Sequence, residues 1–164
     1  MSQQWKDLWE LASFIVTTLG LPFAIVFFAW EQRKERANEE EEGYQLLSDA
    51  YTDFLKVVLA NSDLQLRSNE PLEAPSAEQR ERMLVIFDML ISLFERAFLV
   101  AYKPRMSEDE ARRWNSWDDF MREWCRRKDF HANLAYLLRG EDPEFRNYIR
   151  RIAEEEGGPI PQDS

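Results

Sequence analysis

Residues Leu11 to Trp30 read LASFIVTTLGLPFAIVFFAW, twenty positions without a charged side chain. No other feature restricts the fold so strongly. A helix rises about 1.5 Å per residue, so this run reaches roughly 30 Å, the depth of a bilayer's hydrocarbon core. Its length and composition therefore predict a transmembrane anchor. Trp5 and Trp9 before the run and Trp30 after it stand where indole rings favour the headgroup region. A cleaved signal fits less well, because Asp7 and Glu10 lie in the leading segment, the apolar core is too long and no A-x-A site follows.

Orientation follows from the basic residues, which collect on the cytoplasmic side of a span. Lys6 precedes the run, whereas Arg33, Lys34 and Arg36 follow it. The expectation is a single-pass protein of the inner membrane, its N-terminus outside and its C-terminal domain in the cytoplasm. The single cysteine, Cys125, suits a reducing compartment because it has no internal disulfide partner. Ser13, Thr17, Gly20 and Ala24 recur four, three and four residues apart and so share a helix face. Such a seam lets helices approach closely in lipid and predicts self-association, with Pro22 adding a kink.

The remainder divides by composition. Residues 1–36 make the anchor with its flanks, 37–43 an acidic stalk or linker carrying Glu39 to Glu42, 44–156 a helical domain, and 157–164 a disordered tail rich in Gly and Pro. In the domain Tyr44, Leu47, Tyr51, Phe54, Leu55 and Val58 repeat at helical spacing. A loop follows at Ser68–Pro75. Ser76 with Gln79 then forms a capping-box pattern, and the run from Met83 to Tyr102 is apolar around most of its circumference. A helix of that kind belongs in the centre of a bundle or against another subunit. Asp88, Glu95 and Arg96 exclude it as a second span, since charges at mid-span cost several kcal/mol.

Lys103-Pro104 stops that helix, and Ser107 with Glu110 starts the next, which places Trp114, Trp117, Phe120, Met121 and Trp124 on a common face. A short helix over about 130–139 ends at Gly140. Asp142, Pro143 and Glu144 then supply an N-cap, a first-turn proline and a first-turn acid for a last helix buried through Phe145, Tyr148, Ile149 and Ile152. With no strand pattern and no long repeat, the fold class is all-α: an N-terminal transmembrane helix followed by a cytosolic bundle of four or five helices.

The N-terminal run, the helix containing Phe94-Glu95, the Trp114–Trp124 helix and the closing Asp142-Pro143-Glu144-Phe145-Arg146-Asn147-Tyr148 together resemble a loose group of small, uncharacterised bacterial single-span membrane proteins with an all-helical soluble domain. The resemblance implies that architecture and a bacterial inner-membrane setting. It brings no activity.

Residues that could carry chemistry are few. A di-metal carboxylate bundle needs Glu-x-x-His pairs, and the single histidine, His131, has no glutamate three residues before it. Cys125 and His131 are too few for zinc, and at six residues apart they point to different faces of a continuous helix. They read as a core cysteine and a surface or capping histidine. No phosphate-binding glycine loop occurs, so no cofactor is implied. The net charge of −10 argues against nucleic acid. Two features stand out: Glu95, a carboxylate within the most apolar helix that needs a partner from another element, with Arg113, Arg122, Arg146 and Arg150 as candidates, and the basic cluster Arg126, Arg127 and Lys128. That cluster complements a helix C-terminus, or touches anionic lipid or an acidic partner. The expected function is a membrane-anchored, non-enzymatic helical module for protein–protein interaction, scaffolding or sensing, whose partners are the lipid bilayer, further copies of itself and an unknown protein. The alternative is an oligomeric membrane effector or small pore gated by its bundle.

Overall fold

The computed structural model describes residues 27–32, 34–35 and 41–160. It divides the chain into two compact units, Met1–Gly43 and Tyr44–Ser164. In the first, the described residues from 27 to 35 are helical. Trp30 packs beside Phe27 at 6.2 Å between ring centroids, and the Lys34 ammonium lies 5.8 Å from the indole centroid.

Among the described residues no helix is long and apolar enough to cross a membrane. This finding overturns the expected single-pass placement in the inner membrane, and with it the cytoplasmic address of the following domain. The longest described helix, Ala77–Ala101, carries a charged first turn and a half, Asp88 near its middle and Glu95 and Arg96 in its last third. The described end of the apolar run passes at once into Glu31 and Gln32. The seam residues Ser13, Thr17, Gly20 and Ala24 lie outside the described residues, as do Trp5, Trp9, Arg33, Arg36 and Leu11 to Val26. The pore alternative rests on the same positions.

The second unit is all-helical among its described residues. Helix α1 occupies residues 44–60 of this unit, and a 3₁₀ turn follows at Ser62–Leu64. Then come α2 (Ala77–Ala101), α3 (Glu108–Cys125), α4 (Lys128–Leu137) and α5 (Pro143–Gly157). The start signals in the sequence are all used. Ser76 and Gln79 exchange side-chain and backbone hydrogen bonds at the head of α2, Ser107 and Glu110 do so at the head of α3, and Asp142 accepts from the Glu144 and Phe145 amides ahead of Pro143. Glu110 also takes an ion pair from Lys103 at 2.6 Å.

Helical periodicity then decides the core. Leu47, Tyr51, Phe54 and Val58 of α1 are buried. Tyr51 stacks on Phe120 at 4.3 Å and meets Trp117 edge-on at 5.7 Å, and Phe54 meets Trp124 edge-on at 5.6 Å, so α1 lies on the aromatic face of α3. Phe87 of α2 touches Trp124 and Phe130, joining α2, α3 and α4. A second aromatic group, Phe98, Tyr102, Trp114 and Tyr148, joins α2, α3 and α5. Three tryptophans on one helix face are core, because each ring brings a large apolar area. Helix α5 ends at Gly157, and beyond the Gly158 cap Ile160 packs against the core; residues 161–164 of the expected disordered tail lie outside the described residues.

Candidate functional site

Glu95 occupies a half-buried position on α2, and the partner the structure gives it is a backbone amide. The Asp142 N–H, at the head of α5, donates to Glu95 Oε1. A carboxylate there satisfies an orphan donor and sits at the positive end of the helix dipole. Arg122, one of the arginines expected to pair with Glu95, is committed to Asp118, Glu155 and Glu156. Burial first, then the neighbouring Glu95 carboxyl and its charge and lastly the Asp88 charge, push Glu141 up to about 7.

The basic cluster resolves into three different jobs. Arg127 is 1 % exposed. Its Nη1 donates to the Gln65 and Ser68 carbonyls at 2.7 Å each, its Nη2 donates to Asp129 Oδ2 at 2.8 Å, and its Nε faces Asp129 Oδ1 at 2.6 Å outside hydrogen-bonding angle. One guanidinium thus ties the loop before α2 to the start of α4. Gln65 holds φ 50°, a left-handed conformation. Arg126 pairs with Glu156 at 2.7 Å and Lys128 with Glu70 at 2.8 Å.

Cys125 is a buried free cysteine, and burial foremost pushes its thiol up to about 12. At neutral pH it remains the neutral thiol, which is a poor nucleophile. His131, expected at the surface or as a cap, is buried. Its Nε2 lies 3.2 Å from the Ala153 carbonyl and 3.0 Å from that of Gly158. Both neighbours only accept, so Nε2 carries a proton and donates to the end of α5. The chain breaks at Arg126–Arg127, between α3 and α4, so Cys125 and His131 stand on different helices.

A polar chain that sequence reasoning missed runs along the α3–α5 seam. Trp114 Nε1 donates to the Tyr148 hydroxyl at 2.9 Å, Tyr148 donates to Asp118 at 2.6 Å, and Asp118 accepts from Arg122 Nε at 2.7 Å. Burial first, then the bond to Asp118, raises the Tyr148 phenol far above its ordinary range. Every member is satisfied within the fold, as buried polar groups must be. No group of three or more His, Cys, Asp or Glu side chains able to hold a metal occurs among the described residues.

Exposed apolar side chains occur on α1 at Leu46, Leu55 and Leu59, on α4 at Tyr136, and on α2. Its inward side supplies Phe87, Leu90, Ile91, Phe94 and Ala97 to the core, all nearly inaccessible. Its outward side still carries Val85 (54 % exposed), Met89 (45 %) and Leu99 (60 %). Between this side and α1 runs a groove of about 610 Å³, lined on α1 by Ala50, Asp53, Phe54 and Val57 and on α2 by Val85, Asp88, Met89, Ser92, Leu93 and Arg96. Its lining combines the apolar Phe54, Val57, Val85, Met89 and Leu93 with the charged Asp53, Asp88 and Arg96. The sequence signal was the apolar breadth of the Met83–Tyr102 run; which side would face outward depends on the neighbours. Comparison with protein-family models, with curated proteins and with solved structures finds no match to this chain.

Proposed function

We propose that this chain is a non-enzymatic helical module that acts through protein–protein contact, as a scaffold or sensor, and that it self-associates through the face formed by α1 and α2. The observation that carries this reading is the exposure of Val85, Met89 and Leu99 on the same helix that forms the centre of the core. Aliphatic side chains scattered over a surface mean little, but Val85 and Met89 stand one turn apart and both line the groove, and Leu99 is exposed further along the same helix. Removing such area from water contributes about 25 cal/mol per Å² before the costs of association. The polar groups best placed for chemistry, Cys125, His131 and Tyr148, are engaged in packing and hydrogen bonds.

The test is a photocrosslinking amino acid in place of Met89 in the full chain. Irradiation is expected to give a covalent adduct of twice the chain mass, while the same group in place of Arg112, exposed on α3, gives none. Only monomer from the Met89 position would overturn the proposal.

A further inference from the structure

We propose that the occupant of the α2 face is a second copy of this chain, related by a two-fold axis through Ser92 that sets the two α2 helices antiparallel. The inference rests on the protein-contact reading above and fixes its geometry.

Val85, Asp88, Ser92, Arg96 and Leu99 are exposed and recur along α2 three and four residues apart, so they form one outward stripe. The stripe is symmetric about Ser92. Asp88 stands four residues before Ser92 and Arg96 four residues after it, about 6 Å along the axis on either side; Val85 and Leu99 stand seven residues before and after, about 10 Å away. An antiparallel two-fold through Ser92 therefore brings each Asp88 to the height of Arg96 of the second copy, and each Val85 to that of Leu99. Opposite charges meet, and aliphatic residues meet. A parallel pairing would set Asp88 against Asp88 and Arg96 against Arg96, which is repulsive.

Two further observations support a copy of the chain as the occupant. Neither Asp88 nor Arg96 has an ion pair among the described residues, so each charge is open to an opposite charge on a second copy. At the centre stands Ser92, a small side chain that allows two helix backbones to come close. A face whose two ends complement each other in charge and in apolar character is self-complementary, the requirement of an isologous interface.

Cysteine crosslinking in the full chain reads the register directly. Wild type, whose only thiol is the buried Cys125, provides the baseline. With copper phenanthroline as oxidant, Ser92→Cys is expected to give a disulfide dimer. Val85→Cys and Leu99→Cys, each about 21 Å from its own copy in this arrangement, give none singly but crosslink when mixed. In analytical ultracentrifugation, Asp88→Lys and Arg96→Glu should each weaken association roughly tenfold, and the double exchange should restore it to within about twofold. A disulfide from Val85→Cys alone would indicate parallel helices and overturn the inference. Absence of the Ser92→Cys dimer while the Met89 photoadduct forms would overturn the two-fold but leave the protein-contact reading standing; loss of both removes both. Failure of the double exchange to restore association would remove the Asp88–Arg96 pairing.

Discussion

Single residues carry more of this fold than their place in the sequence discloses. Arg126, Arg127 and Lys128 are adjacent cations, yet Arg127 is buried and its neighbours form exposed pairs. Surface pairs of that kind contribute little, whereas removal of a buried cation strands its acceptors. Arg127→Met should therefore cost about 3 kcal/mol in urea denaturation, with Arg126→Met near neutral, and equal costs would refute the distinction. Gly157 is the second case. A Cβ there would lie 2.7 Å from His131 Cδ2 and 3.0 Å from Nε2, and two carbonyls of α5 hold that ring in place. Alanine ordinarily stabilises a helix over glycine by about 1 kcal/mol. Here the contact reverses the sign: Gly157→Ala should lower Tm by about 5 °C, and combining it with His131→Ala should cost less than the sum of the two. A gain in Tm for Gly157→Ala would show that the ring yields freely.

At the scale of elements, the caps were legible because they are local: Ser76, Ser107 and Asp142 act on amides two or three residues away. The partner of Glu95 was not, since it is the N–H of Asp142, a group that every residue except proline carries and that only the docking of α5 against α2 brings near. That docking also creates the Glu95–Glu141 pair. A carboxyl held up at about 7 is protonated in the folded chain across a pH range in which it is ionised in the unfolded chain. The folded state thus binds more protons between about pH 4.5 and 7, and stability falls as pH rises through that window. Glu141→Gln should flatten the fall and, at pH 8, raise Tm by about 3 °C, a figure kept small because the group is partly solvated. Thermal melts of both proteins from pH 5 to pH 8 provide the check, and parallel curves would refute the raised Glu141 carboxyl.

At the scale of the molecule, burial and exposure on α2 meet different demands. The sequence announced a helix apolar on most sides and placed it in a core or against another subunit; the structure buries one side in the core and leaves Val85, Met89 and Leu99 on the other side exposed. Periodicity could not tell which residues would turn outward, because that depends on where α1 and the α4–α5 connection lie. The apolar run of residues 11–30 shows the opposite limit: read by length it determined an address for the whole protein, and no helix among the described residues supports that address. Stability and association should therefore separate experimentally on α2. Met89 is 45 % exposed, whereas Leu90 beside it is fully buried. Leu90→Ala removes core volume and should cost about 3 kcal/mol of folding stability. Met89→Glu leaves the core intact, so its unfolding free energy should stay within about 0.5 kcal/mol of wild type. Its cost should fall on association instead, because a carboxylate in a closed apolar face must be desolvated without a partner. Urea denaturation paired with sedimentation at matched concentrations distinguishes the two: if Met89→Glu melts early, the residue belongs to the core, and if it sediments as wild type does, the outward face of α2 is not where the copies meet.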